Sequence, residues 1–243
     1  MRRMVITAAD SAFGMKLLSK LAEQGLGDFE WIFGTWFDAK EELDQLLKET
    51  PSLAEKMILK KVDMRSVEEI DAFCLELSEK ETATDFIHLP APKAFPMQFK
   101  KLSFDVFRDH MEISFRSAVL ISQTILPARA KKKEGRVLLM SSYYATEEGT
   151  PNFLAPYVSA KSAILGLMRS LAKEYGPKNL KINAAAPDFA DTKYLSDMPD
   201  LMKETVVHQS ERGRMLSADE VIEGLLPYLD PETDVNGRTI IIR

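Results

Sequence analysis

The chain has 243 residues, 45% of them hydrophobic and 28% charged, a globular composition that excludes disordered, collagenous and low-complexity proteins. Its 32 Lys and Arg against 37 Asp and Glu leave a net charge of −5, which argues against a general nucleic-acid binder, whose binding face must be basic. No apolar run reaches the roughly 18 residues of a membrane span, and the single cysteine, Cys74, allows no intrachain disulfide. With no secretory segment ahead of Met4–Thr7 and one cysteine, the expected compartment is the cytoplasm.

Short apolar runs alternate with longer helical patterns along the whole chain, and no linker divides it, so residues 1–243 read as a single domain. Met4–Thr7 reads as a strand and Gly14–Gln24 as a helix. Phe29–Thr35 is a strand, followed by a helix over Ala39–Lys48 with Asp38 as its cap and Glu41 completing a capping box. Met57–Val62 is a strand, and Ser66 with Glu69 forms a capping box for a helix over Val67–Glu79. Asp85–Leu89 is a strand and Phe104–Lys131 a long helix. Arg136–Met140 and Leu180–Ala185 are strands that flank a helix over Ala155–Tyr175. Ser217 and Glu220 cap a helix over Ala218–Leu229, and Arg238–Ile242 is the last strand. Such alternation predicts an α/β fold: a single doubly wound parallel seven-stranded sheet with helices on both faces. In such sheets ligands bind beyond the carboxyl ends of the strands.

The turn after the first strand, Thr7-Ala8-Ala9-Asp10-Ser11-Ala12-Phe13-Gly14, suits a dinucleotide pyrophosphate at a helix N-terminus, although only Gly14 is a glycine. Tyr157 and Lys161 lie four apart on a helix, hence on one face. An ammonium beside a phenol favours the phenolate, which brings Tyr157 toward proton exchange at neutral pH. Ser141 and Ser142 end the fifth strand, where a hydroxyl can orient a substrate carbonyl while Tyr157 protonates it and a cofactor delivers hydride.

These segments resemble the short-chain dehydrogenase/reductase family over Met4–Ile242, with the Rossmann fold that membership implies. The resemblance rests on Ser141-Ser142, Tyr157-Val158-Ser159-Ala160-Lys161, Leu171–Pro177, Lys181–Pro187 and Asp188-Phe189-Ala190-Asp191-Thr192. Arg214 and Asn236-Gly237-Arg238-Thr239-Ile240 extend it. Among subfamilies the chain is most similar to 3-oxoacyl-ACP reductases. The resemblance implies Tyr157 as general acid/base, Lys161 on the nicotinamide ribose, and Ser142 on the substrate carbonyl. It further implies Ser114 in the place of the family's helix Asn, as holder of a relay water. Thr7, Ala12, Phe13, Gly14 and Thr35 fall at its cofactor positions, with Asp63 on the adenine, and with Pro187 and Thr192 at the nicotinamide.

Several positions depart from the family pattern. Its T-G-x-x-x-G-x-G is Thr7-Ala8-x-x-x-Ala12-x-Gly14, and its N-N-A-G is His88-Leu89-Pro90-Ala91. No acid ends the second strand near Thr35-Trp36, which tilts the expected cofactor toward NADP(H), with NAD open and Lys40 as the phosphate partner. The expected substrate is a small-molecule ketone or an acyl thioester, and the expected assembly is a homodimer or homotetramer through the two long helices. A non-redox dehalogenase-type enzyme and a non-catalytic partner subunit remain the alternatives, because the glycines are lost.

Arg129, Lys131, Lys132 and Lys133 read as a solvated helix end, where cations complement the dipole, or else as a landing site for an acyl carrier protein. His88, His110 and His208 lack metal-ligand spacing, and no metal is expected. Phe95, Met97, Phe99, Leu102, Phe104 and Phe107 read as core or subunit contact, with the lining of a substrate pocket as the alternative. Tyr194, Leu195, Met198, Leu201 and Met202 read as an apolar substrate lid.

Overall fold

The computed structural model describes residues 1–94, 96–147, 152–192, 199–209 and 212–243. Seven parallel strands form one sheet in the order β3-β2-β1-β4-β5-β6-β7. They are β1 (Arg2–Thr7), β2 (Phe29–Trp36), β3 (Met57–Lys61), β4 (Asp85–His88), β5 (Gly135–Met140), β6 (Leu180–Pro187) and β7 (Thr239–Ile242). The order runs outward from β1 through β2 to β3, then resumes at β4 on its other side. Between β1 and β4 lies the switch point where a doubly wound sheet leaves a crevice.

On one face α4 (Val67–Glu79), α6 (Ser117–Lys132) and α7 (Ala155–Tyr175) cover the sheet, and Phe73, Phe86, Ile121 and Ile164 fill that core. On the other, α1 (Ala12–Gln24), α2 (Lys40–Glu49), α3 (Pro51–Ala54) and α9 (Ala218–Leu225) enclose Ile6, Leu17, Leu43 and Ile222. The remaining helices are α5 (Phe104–His110) and α8 (Asp200–Gln209). Among the described residues no helix is long and apolar enough to cross a membrane.

At the amino edge, the fully buried Asp85 carboxylate meets Arg2 at 3.2 Å and Arg136 at 2.5 Å. Thr84 Oγ1 donates to it at 2.7 Å, so the buried charge has a full set of donors. Arg2 also donates to the carbonyl of Leu229 at 2.9 Å.

Several expected elements differ in detail. Phe104–Lys131 is not one helix, because a π-helical turn over Met111–Arg116 separates α5 from α6. The Ser117 amide donates to Glu112, five residues back, and the Ile113 carbonyl that it passes over accepts from Ser117 Oγ, while the imidazole of His88 lies 2.9 Å from the Ser114 carbonyl. A carbonyl committed to a side chain drops out of the α-helical ladder, and the helix widens there. Asp38 is not the cap of α2; Ala39 holds that position, without a side-chain bond. Ser66 does accept from the Glu69 amide, but Glu69 reaches back to the Asp63 amide, so only half of that capping box forms. The Ser217–Glu220 box is complete. Arg129 is not solvated: it is 2% exposed and bound to Glu134, whose backbone carbonyl also accepts from its Nε at 2.8 Å. Phe95, Tyr194, Leu195 and Met198 lie outside the described residues, as does the side chain of Met202.

The first loop explains how alanine replaces glycine. Ala8 takes the left-handed region at φ 54°, which costs a residue with a Cβ roughly 1–2 kcal/mol. Its amide donates to Thr35 Oγ1 at 3.1 Å, and its carbonyl accepts from Ser11, so its neighbours hold the conformation. Gly14 tolerates no such exchange, since a Cβ there would lie 2.5 Å from the Ala8 carbonyl oxygen and 2.7 Å from that of Ala9. Gly14→Ala is expected to destabilise the protein by about 1–3 kcal/mol. Urea unfolding of the variant checks this, and unchanged stability would show that the loop yields.

Candidate active site

Strand ends β1, β2, β4, β5 and β6 open into one cleft of about 630 Å³. Ala12, Phe13, Thr35 and Asp63 line one end of it. Ser142, Tyr157, Lys161, Pro187 and Thr192 line the other. These nine expected site residues therefore come together. Thr7, Gly14 and Ser114 do not face the cleft, each for a physical reason.

Thr7 is fully buried, with Oγ1 3.0 Å from His88 Nδ1. The opposite nitrogen, Nε2, faces the Ser114 carbonyl and must carry a proton, because a carbonyl only accepts. Burial holds the His88 pKa down to about 3, so the ring is neutral and Nδ1 accepts the Thr7 proton. Thr7 is thus spent on His88 and not on a cofactor. Gly14 packs beneath its own loop, as its contacts show. Ser114 stands in the π-turn, 1% exposed, and its Oγ has no hydrogen-bond partner among the described residues.

The Tyr157–Lys161 pair is arranged as expected, with a different electrostatic balance. Lys161 is 2% exposed, and its Nζ donates to the Met140 carbonyl at 2.8 Å. Ser141 Oγ donates to the Lys161 carbonyl at 2.8 Å, which pins α7 to the end of β5. Burial lowers the Lys161 pKa to about 7. The ammonium lies 6.0 Å from the Tyr157 ring centre. Burial pushes the Tyr157 phenol above its usual value, and a hydrogen bond from Ser142 opposes this. The expected acidification by Lys161 is not among these influences, and burial holds the lysine itself near neutrality.

His110 was not singled out by sequence reasoning as a site residue. Its ring stands edge-on to Tyr157, centres 6.1 Å apart at 84°. It is 3% exposed, and its Nδ1 has no partner among the described residues. Burial and the nearby Lys161 charge lower its pKa to about 4. Its position four residues before Ser114 on a helical pattern was the signal available. Tyr144 was also missed. It packs on Phe189 at 5.3 Å and bonds to Asp188, and burial raises its phenol. With Leu154 and Ala190 it makes that end of the cleft largely apolar.

The expected phosphate partner Lys40 does not reach the cleft; it pairs with Asp44 and lies over the Trp36 ring. Arg65 does line the cleft and holds Asp63 with Nε at 3.1 Å. The donor set fits a dinucleotide nonetheless. The amides of Ala12 and Phe13, opening a helix of 13 residues, have no protein acceptor among the described residues. Free amides at a helix N-terminus suit phosphate oxygens. Lys161 spends one donor on Met140 and keeps others for ribose hydroxyls. No group of three or more metal-ligating side chains occurs among the described residues.

Ser142, Tyr157 and Lys161 line the switch-point cleft of a doubly wound sheet, an arrangement suited to an oxidoreductase. Comparison with known proteins agrees. The short chain dehydrogenase family matches residues 2–201, and the chain belongs to that family. Oxidoreductase UcpA of Salmonella typhimurium is 27% identical over 173 residues, which are 71% of this chain and 62% of UcpA. The chain thus spans less than two thirds of that relative. The 3-oxoacyl-[acyl-carrier-protein] reductase FabG of Thermotoga maritima is 24% identical over 244 residues, 97% of this chain and 94% of FabG. Among solved structures, ElxO with NADP bound superposes with a TM-score of 0.85 at 15% identity, covering 99% of this chain and 96% of ElxO. A further short chain dehydrogenase/reductase family protein gives 0.84 at 14% identity, with 99% and 95% covered.

The buried bases dictate a pH dependence. An unfolded chain protonates its histidines near pH 6.5, whereas His88 and His110 resist until about 3 and about 4. Stability is therefore complete above 6.5 and falls with pH below it, by about 1.4 kcal/mol per unit for each ring. Lys161 acts in the same sense at higher pH: protonated near 10.4 when unfolded and near 7 when folded, it makes stability rise from pH 7 to 9. Urea midpoints from pH 5 to 9 should climb throughout, and Lys161→Met should flatten the part above pH 7.

Proposed function

We propose that the protein is a nicotinamide-dinucleotide-dependent carbonyl reductase or alcohol dehydrogenase that interconverts a ketone and its alcohol. The observation that carries this reading is Ser142 hydrogen-bonded to Tyr157, with Lys161 one helical turn away, in a cleft fitted for a dinucleotide. The bound cofactor would supply or accept hydride. Ser142 holds the substrate oxygen beside the phenol, and Tyr157 gives that oxygen a proton in reduction or takes it back in oxidation. Negative charge brought into the cleft favours the protonated state of Lys161, and a cationic Lys161 in turn favours the phenolate. The acidity of Tyr157 is thus set after ligand entry.

Tyr144, Phe189 and Leu154 favour an apolar group on the carbonyl carbon, and the similarity to FabG extends this to a 3-oxoacyl thioester. Lys131, Lys132 and Lys133 at the end of α6 offer an acidic carrier a cationic approach, with Arg129 withdrawn from that surface. A homodimer or homotetramer through α5, α6 and α7 fits the exposed Phe104 and Val106 on α5. A cytoplasmic location fits the same reading.

Tyr157→Phe is expected to lower kcat by a factor of about 10² to 10⁴ while leaving cofactor binding intact. A ketone screen with either reduced cofactor measures it. Retention of most activity overturns the assignment, and failure to bind any nicotinamide cofactor favours non-redox chemistry on this scaffold.

A further inference from the structure

The dinucleotide reading leaves open which form of the cofactor is bound, and one acid decides it. Asp10 lies in the first loop, three residues beyond β1, and is 8% exposed. One oxygen, Oδ2, accepts the amides of Phe37, Asp38 and Ala39 at 2.9, 3.0 and 3.0 Å. Three successive amides converging on one point form an anion-binding concavity. Here a carboxylate of the protein fills it. No other bond of Asp10 occurs among the described residues, so Oδ1 has no protein donor, and the residue lines the cleft.

The concavity follows the end of β2, beside Thr35 and Asp63. In a doubly wound sheet that is where the ribose nearest the adenine lies. Resting on the dinucleotide reading above, we infer that Asp10 selects the cofactor whose adenosine ribose carries a free 2′-hydroxyl and excludes the 2′-phosphorylated form. Oδ1 accepts a hydroxyl proton, whereas a phosphate would meet a buried negative charge and find the three amides taken. Exchanging the occupants would put the Asp10 carboxylate in a dry site without donors, which is costly.

The surrounding cations are committed elsewhere, and Lys93, which also lines the cleft, is not free. Asp38 and Asp63 add two further acids to the same end of the cleft. Arg65, the cation there, is held by both oxygens of Asp63, with Nε at 3.1 and 3.2 Å and Nη2 at 3.1 Å. Its guanidinium also lies over the Phe37 ring at 5.5 Å. Lys61 lies over the rings of Trp36 and Phe37, and Lys40 is paired with Asp44. The acid that sequence reasoning sought at the end of β2 is thus supplied from the neighbouring strand, by the loop after β1.

Fluorescence titration of the purified protein with NADH and NADPH tests the assignment. NADH is expected to bind at least about tenfold more tightly, since a like charge brought against a buried carboxylate costs that much or more. Asp10→Asn keeps an oxygen for the three amides but removes the charge, and should narrow the ratio about tenfold. On the unaltered protein, ADP-ribose should displace bound NADH and its 2′-phosphorylated analogue should not, a result that stands even where the variant fails to fold. Equal or tighter binding of NADPH, an unchanged ratio in Asp10→Asn, or equal displacement by the two analogues overturns the assignment and leaves the dinucleotide reading standing. Binding of neither cofactor overturns both.

Discussion

A neutral imidazole at the end of β4 sets the shape of the cleft. His88 joins three segments: β1 through Thr7, β4 through its own backbone, and the π-turn through the carbonyl of Ser114. Its burial makes protonation costly, and its neutrality makes the two bonds directional. The bond to Ser114 holds the π-turn against β4, with His110 edge-on to Tyr157. A side chain with the same shape but without two opposed nitrogens would leave a hydroxyl and a carbonyl unsatisfied in the core.

Charge in the cleft is distributed in the same economical way. One end carries Asp10, Asp38 and Asp63 against Arg65; Lys161 and Asp188 line the other among apolar and phenolic groups, and Lys93 also lines the cleft. Each buried charge has its backbone partners: three amides for Asp10, the Met140 carbonyl for Lys161. The backbone thus prepares opposite ends of one groove for different parts of a long ligand. The loop after β1, lacking two of the expected glycines, keeps its path because Thr35 and Ser11 bind Ala8 on both sides.

Much of this was legible in the sequence. The seven strands follow from short apolar runs, and the Tyr157–Lys161 pair from the four-residue spacing of a helix. What escaped depends on contacts between distant residues. Periodicity across Phe104–Lys131 is unbroken, so a π-turn that docks on a histidine 26 residues upstream leaves no local trace. Asp38 has the spacing of a cap, but the loop amides are taken by Asp10, 27 to 29 residues away. Arg129 carries the composition of a surface residue and the burial of a core one, because Glu134 satisfies it. The pKa of Lys161 depends on how completely α7 packs against β5, and spacing alone does not report burial.

The clasp of Arg2 on the Leu229 carbonyl spans 227 positions. During synthesis Arg2 leaves the ribosome 227 residues ahead of Leu229. The interior strand β1 therefore waits through that stretch of translation for one of its fixings. Throughout that interval α1 also lacks α9, against which it packs in the finished protein. Until α9 and Leu229 emerge, the nascent chain leaves part of the apolar surface of β1 and α1 uncovered, so that face closes late relative to its own synthesis.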